Sequence, residues 1–152
     1  MKGLKIYVYS FLMVFLAAAA GSFFTYSGVN GWYVNAEKPS ITPPNWFFPA
    51  IWTTLFILMA IALARVWSKG GKKNSLGMAL FFIQLGLNVL WCALFFGMRQ
   101  FLFGFIEIVF LWFAILATII EFWQIDRKSA YLMFPYLAWV LVASVLNLMY
   151  CL

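Results

Sequence analysis

Residues 76–98 read LGMALFFIQLGLNVLWCALFFGM and contain no charged side chain. As a helix rising 1.5 Å per residue, this run is long enough to cross the roughly 30 Å hydrocarbon core of a bilayer. Lys73 precedes it closely and Arg99 follows it directly. Because a backbone in hydrocarbon must satisfy its own hydrogen bonds, the run predicts a transmembrane α-helix.

The same pattern recurs along the whole chain. Its 152 residues are 66% hydrophobic and 9% charged, whereas soluble domains are usually roughly 25% charged. Apolar runs alternate with short segments that contain nearly all the charges. We therefore predict an all-α integral membrane bundle, a single domain over residues 1–152. Its five spans lie near residues 6–25, 47–67, 76–98, 101–123 and 131–152.

Basic residues are unevenly divided between the two sides of this bundle. One side has Lys2, Lys5, Arg65, Lys69, Lys72, Lys73, Arg127 and Lys128, and the other has Lys38 and Arg99. The positive-inside rule then predicts a cytoplasmic N-terminus and an external C-terminus. We expect a multi-pass protein of a microbial cell membrane. Residues 1–22 also resemble a secretory signal, so cleavage near Gly21 is the alternative to a retained first helix.

Several classes of function are excluded or disfavoured by the composition. The net charge of +6 comes from residues at span ends, where they meet lipid headgroups, so we expect no nucleic-acid partner. The chain has no His, and Cys92 and Cys151 lack metal-ligand spacing, so we expect neither a metal site nor a cofactor. No nucleophile with its base and no phosphate-binding loop is present, so no conventional enzyme motif is found.

The first connection, residues 26–46, is the long one. It contains Gly28, Gly31, Pro39, Pro43 and Pro44, which together prevent a continuous helix. We expect this loop to do something other than join two helices.

The third span has two distinct faces at 100° per residue. Buried amides in hydrocarbon are costly unless hydrogen-bonded, so its polar face is expected to point into the bundle or towards a ligand. The opposite face consists of small residues, which permit close helix contact and predict a homodimer interface. The polar face comprises Gln84, Asn88, Trp91 and Phe95, and the small face Ala79, Gly86, Ala93 and Gly97.

Aromatic residues follow a similar spacing on two other spans. Trp52 and Phe56 share a face of the second span, and Trp139 shares one of the fifth with Ala143 and Leu146. These faces could line one pocket, although core packing or interface belts explain such stripes as well. In the fourth span, Glu107 is either a functional ionisable group or a protonated or hydrogen-bonded structural carboxyl turned inward.

Motifs in order along the chain complete the pattern. They are Trp32-Tyr33, Glu37-Lys38-Pro39-Ser40, Thr42-Pro43-Pro44-Asn45-Trp46-Phe47-Phe48-Pro49 with Trp52, Gln84-Leu85 with Asn88, Trp91 and Phe95-Phe96-Gly97-Met98, and Pro135-Tyr136-Leu137 with Trp139, Ala143 and Asn147. Together they resemble the translocator protein family, also called tryptophan-rich sensory proteins or peripheral-type benzodiazepine receptors.

The resemblance implies a five-helix bundle, commonly dimeric, whose pocket beneath the first loop binds porphyrins and, in many members, isoquinoline or benzodiazepine drugs. It carries ligand contacts to Tyr33, Pro43, Trp52, Asn88, Trp91, Trp139, Ala143 and Leu146. To these the helix faces add Phe56, Gln84 and Phe95.

The chain also departs from the family pattern. Ile41 stands where many relatives have tryptophan, which would alter the lid. Leu146 and Tyr150 are followed only by Cys151 and Leu152, so the basic residue of the cholesterol-recognition pattern is missing. That pattern is weak even when complete, and its absence makes cholesterol a poor candidate ligand.

Three functions therefore remain open. The first is a membrane receptor or transporter that binds tetrapyrroles and serves in tetrapyrrole or stress regulation. The second is light- and oxygen-dependent porphyrin breakdown, in which the resemblance assigns chemical roles to Trp52 and Trp139. The third is a structural membrane protein without a small-molecule ligand.

Overall fold

A computed structural model describes residues 2–70 and 74–152. Across those residues it has five helices long and apolar enough to cross a membrane, which confirms the all-α prediction of a multi-pass membrane protein. They are α1 (Lys2–Asn30), α2 (Phe47–Ser68), α3 (Ser75–Cys92, continued by a π-helical segment Ala93–Gly97), α4 (Phe101–Ile125) and α5 (Arg127–Cys151). Lys72 and Lys73, which contribute to the predicted orientation, lie outside the described residues.

The helices pack as a closed ring in the order α1, α2, α5, α4, α3 and back to α1. Apolar residues at helical spacing face the interior from every helix. There they pack closely against side chains of the neighbouring helices, which lipid tails cannot match. Tyr136, Phe81 and Met59 are fully buried there, and the rings of Phe81 and Phe122 stack with centroids 5.9 Å apart. The ring order brings α1, α2, α3 and α5 around one common space.

The first helix is longer than its predicted span. It continues to Asn30, so the connection to α2 begins five residues later than predicted and contains a short 3-10 turn at Tyr33–Asn35. Gly28 stays helical because it packs against α3: a Cβ there would lie 2.6 Å from the Phe96 carbonyl oxygen. The first proline of the connection, Pro39, comes only after α1 has ended.

Charged groups tie the helices together at one end of the bundle, which we call the ionic end. Asp126 lies between α4 and α5 and accepts hydrogen bonds from Arg65 Nε at 2.7 Å and Lys69 Nζ at 2.8 Å. It also caps α5 by accepting from the Ser129 backbone N–H at 3.2 Å. The Arg65 guanidinium, helped by Lys69 and Ser129, holds the pKa of the Asp126 carboxyl well below its usual range.

The small-residue face of α3 is divided. Ala79 and Gly86 are exposed and Ala93 is half-buried, and a Cβ at Gly86 would meet nothing within 4 Å. Gly97 instead lies against α1, where a Cβ would come within 3.1 Å of Phe24 Cδ1. The Gly97 end of the predicted dimer face therefore already packs against α1 of the same chain.

Candidate functional site

A cavity of about 390 Å³ lies between α1, α2, α3 and α5 at the end of the bundle opposite Asp126. This volume is within the usual range for small-molecule sites. Among the residues lining it are the predicted positions Tyr33, Trp52, Phe56, Asn88, Trp91, Phe95, Trp139, Ala143 and Leu146. Helical periodicity thus brought the aromatic faces of three helices to one space, as expected.

Two indole rings form one wall of the cavity. Trp52 on α2 and Trp139 on α5 have ring centroids 6.4 Å apart and nearly perpendicular planes. Phe56 stacks on Trp52 at 5.7 Å, and Phe47 and Phe48 pack on Trp139 at 5.6 and 5.8 Å. These rings present flat apolar surface, which suits a planar ligand.

The cavity's amides are held by neighbouring helices. Asn88 Nδ2 donates to Tyr136 Oη at 2.8 Å. Trp91 Nε1 donates to Asn147 Oδ1 at 2.9 Å, and Asn147 Nδ2 donates to the Phe101 carbonyl at 2.8 Å. Because buried polar groups require partners, these bonds fix α3, α4 and α5 around the cavity.

Three buried polar atoms at the cavity have no hydrogen-bond partner among the described residues. They are Trp139 Nε1, Thr42 Oγ1 and Tyr150 Oη, on residues that all line the cavity. An N–H buried in this way is costly until an acceptor meets it. A ligand with a hydrogen-bond acceptor on its apolar body would supply that partner.

The π-helical segment and Tyr33 border the cavity at the end of the bundle that carries the first loop, and we call this edge the mouth. The wide turn of the segment is closed by Met98 N–H donating to the Ala93 carbonyl at 2.8 Å, five residues earlier. Phe95 and Phe96 then both line the cavity, and Trp32 Nε1 donates to the Phe96 carbonyl at 2.9 Å. The loop after α1 is therefore anchored to the end of α3.

Tyr33 follows directly in this anchored turn and is buried. Its ring packs edge-on against Trp32 at 5.5 Å and lines the cavity. Desolvation by burial raises the pKa of the Tyr33 hydroxyl above its ordinary value. The hydroxyl therefore stays protonated at neutral pH and available for hydrogen bonding.

Comparison with known proteins supports the resemblance to the translocator protein family that the sequence motifs indicate. The family model described as the TspO/MBR family matches residues 10–152. The chain belongs to the TspO/MBR family. It is 45% identical over 140 residues to the tryptophan-rich protein TspO of Archaeoglobus fulgidus, covering 92% of this chain and 91% of that protein.

Two further relatives lie at greater distance within the TspO/MBR family. The tryptophan-rich sensory protein of Cereibacter sphaeroides is 38% identical over 116 residues, 76% of this chain and 72% of that protein. The translocator protein of Homo sapiens is 33% identical over 139 residues, 90% of this chain and 81% of that protein.

Two predicted contacts of the TspO/MBR pocket do not line this cavity. Gln84 is fully buried, with Nε2 3.9 Å from Met59 Sδ, so it faces α2 one turn below Asn88. Pro43 is half-buried in the loop, and its neighbour Thr42 lines the cavity in its place. The prediction that these two side chains meet the cavity was wrong.

Sequence reasoning missed the lining residues of α1 and part of the loop. These are mainly Ser22, Thr25, Val29, Asn45, Phe48, Asn147 and Tyr150. Ser22 and Thr25 are hydroxyl residues within an otherwise apolar span, which is a signal that could have marked the α1 face. Asn147 belongs to the motif of the fifth span, but it was not predicted as a ligand contact.

Glu107 is not brought to the cavity. It is 7% exposed on α4, and neither carboxyl oxygen has a hydrogen-bond partner among the described residues. No residue of α4 lines the cavity. Glu107 is therefore a buried carboxyl of α4 that does not contribute to this cavity.

Proposed function

We propose that the chain is a membrane receptor that binds porphyrins in the cavity between α1, α2, α3 and α5. The observation that carries this proposal is the wall formed by Trp52 and Trp139, two edge-on indoles 6.4 Å apart that both line the cavity. Flat aromatic walls with few polar groups suit a planar macrocycle. The names of the relatives, sensory protein and translocator protein, support a receptor role over a purely structural one.

The test uses two neighbouring residues of α5 that face opposite ways. Ala143 lines the cavity and is 6% exposed, whereas Val142 is 42% exposed on the outer surface. Phe at position 143 would fill the space that the macrocycle needs, so Ala143→Phe should weaken protoporphyrin IX binding by about tenfold or more. Val142→Phe is the matched control, with affinity near wild type.

Binding is measured in nanodiscs from the porphyrin absorbance shift and from quenching of tryptophan fluorescence. Thermal unfolding of each variant is recorded on the same samples. Equal affinities for folded Ala143→Phe and Val142→Phe would remove the cavity as the porphyrin site. No binding to the wild type would favour a structural role.

A second candidate activity is light- and oxygen-dependent breakdown of the bound porphyrin. The observation that favours it is again the pair Trp52 and Trp139, since both indoles line the space that an excited macrocycle would occupy. Trp52→Phe and Trp139→Phe retain an aromatic ring, so they should weaken binding modestly and reduce the photochemical loss of absorbance strongly. Unchanged photochemistry in both variants would contradict a chemical role of the two indoles and leave only the receptor function.

We also propose a cytoplasmic N-terminus, from the excess of basic residues at one set of span ends, and a microbial cell membrane, because the cholesterol-recognition pattern of animal members lacks its basic residue here. Reporter fusions at both ends test the orientation, and a cytoplasmic C-terminus would contradict it.

A homodimer through Ala79, Gly86 and Ala93 is the corresponding proposal for assembly, with Gly97 contributing to the contact between α3 and α1 instead. Because a Cβ at position 86 would meet nothing within 4 Å in the chain and this face of α3 is exposed, Gly86→Leu should leave the fold intact and shift the protein towards monomer. Size-exclusion chromatography with light scattering gives the mass. An unchanged dimer mass would place the interface elsewhere.

A further inference from the structure

The cavity and its mouth differ in charge. Among the described residues that line the cavity, none carries a charged side chain. Two cations, Lys38 and Arg99, lie over aromatic rings at the mouth. An ionised group would lose hydration inside the cavity without gaining a partner, whereas at the mouth it would meet a positive charge.

Lys38 belongs to the cavity mouth through Tyr33. Its Nζ lies 4.8 Å from the centroid of the Tyr33 ring, and that ring lines the cavity. The ring face attracts the ammonium and holds it near the opening. Lys38 therefore places a charge next to the cavity without occupying it.

Arg99 occupies the neighbouring ring. Its Cζ lies 5.3 Å from the centroid of the Trp32 ring, and the ring centroids of Trp32 and Tyr33 are 5.5 Å apart. Trp32 also packs edge-on against the cavity residue Phe95 at 5.8 Å. Two cations thus lie on two adjacent rings of the same anchored turn.

The backbone at Arg99 is strained. Its φ is +54°, in the left-handed region that glycine adopts freely and a residue with a Cβ adopts only at a cost in energy. Glycine would serve the turn between α3 and α4 better, so the turn does not explain arginine here. Strained residues of this kind occur where the side chain has a separate role.

Neither cation is neutralised by the protein within the described residues. The salt bridges found there join Arg65 and Lys69 to Asp126, at the opposite end of the bundle. Guanidinium and ammonium groups both bind carboxylates, and guanidinium does so through two parallel hydrogen bonds. The cations at the mouth are thus free to meet an anion that comes with the ligand.

We propose that Lys38 and Arg99 form a carboxylate-binding rim, which makes the cavity selective for flat apolar ligands that carry acid groups on one edge. This inference rests on the proposed porphyrin site and names its substrate class. The apolar body lies in the cavity against the wall formed by Trp52 and Trp139, and the acid groups stay at the mouth. Esterified ligands of the same shape lose the rim contacts and bind more weakly.

The experiment compares protoporphyrin IX with its dimethyl ester, which keeps the ring and removes both charges. Affinities are measured in nanodiscs of zwitterionic lipid, with empty nanodiscs subtracted. Wild type should prefer the acid by about tenfold, equivalent to about 1.4 kcal/mol. In the double variant Lys38→Gln/Arg99→Gln the preference should fall to about twofold or less, and affinity for the ester should not change.

The control removes the same number of charges at the ionic end. Arg127 also lies over an indole, with Cζ 5.5 Å from the Trp123 ring centroid, so Arg127→Gln/Lys128→Gln should keep the wild-type preference. Arg99→Gly is added because it relieves the left-handed strain. It should unfold no earlier than wild type and still lose part of the acid preference.

Three results would each overturn the carboxylate-binding rim. Equal wild-type affinity for acid and ester overturns the rim and leaves the porphyrin site standing. Equal loss of preference in the control double variant also overturns it, because membrane surface charge would then be responsible. If neither acid nor ester binds the wild type, both the porphyrin site and the rim fail.

Discussion

The two ends of the bundle are stabilised in different ways. At the ionic end, Asp126 receives Arg65 and Lys69 at 2.7 and 2.8 Å and caps α5 as well. At the cavity end, aromatic rings and single hydrogen bonds such as that from Trp32 to Phe96 join the elements. The unpartnered donor Trp139 Nε1 lies on the cavity side. The Asp126 carboxylate at the ionic end is saturated by the protein, whereas the cavity end keeps a buried donor that a ligand can meet.

The largest effect should come from removing the shared anion of the ionic end. Asp126→Ala leaves Arg65 and Lys69 without their partner and removes the cap of α5, so the free energy of unfolding should fall by about 2–3 kcal/mol. The two basic side chains are 30% and 50% exposed, and their hydration limits the loss. Thermal unfolding in detergent measures it.

Glu121→Ala is the control for this change, since Glu121 is a half-buried acid near the same end that forms no salt bridge with any residue the structure describes. Porphyrin affinity at 25 °C should not change in either variant. A loss of affinity in folded Asp126→Ala would show that the two ends are coupled.

Acid should weaken the ionic end in the wild type. The pKa of Asp126 is lowered by Arg65, so its contribution is fully present above the unfolded value of about 3.9 and is lost as pH falls through the folded pKa. Stability should therefore be steady from about pH 7 to 5 and decline below about pH 4. Asp126→Asn should show a shallower decline over the same range.

At the cavity end, Asn147→Leu should destabilise less than loss of Asp126. It leaves the Trp91 N–H and the Phe101 carbonyl without their partner, at a cost of about 1–2 kcal/mol. Asn30→Leu is the control, because the Asn30 amide bonds only to the exposed Tyr26 carbonyl of its own helix. Equal unfolding temperatures for the two variants would contradict the bridging role of Asn147.

The smallest effect compares two helical glycines. Alanine at position 28 would place its Cβ 2.6 Å from the Phe96 carbonyl oxygen, whereas at position 86 it meets nothing within 4 Å. Gly28→Ala should therefore destabilise by about 1 kcal/mol despite its better helix propensity, and Gly86→Ala should stabilise by up to about 1 kcal/mol. Changes of the same sign would mean that α1 moves freely over the π-helical segment.

The sequence predicted what depends on periodicity. Apolar runs of membrane length fixed the helices, and 100° spacing placed Asn88, Trp91 and Phe95 on one wall of the cavity. The same spacing placed Gln84 at the cavity incorrectly, because periodicity gives the direction of a side chain but not the depth of the cavity. Nor could it find the Asp126 contacts, which join residues 61 and 57 positions apart.

The π-helical segment restricts how the chain can change in length. A wide turn holds one residue more than the regular winding, so deleting one codon within Ala93–Gly97 would restore an ordinary helix. The helix before and after the deletion would keep its faces, because the wide turn alone absorbs the extra residue. Only the side chains within Ala93–Gly97 would be re-aimed, so Phe95 and Phe96 would no longer both line the cavity. A frame-preserving deletion of one codon there would therefore change the mouth and leave the rest of the bundle in register.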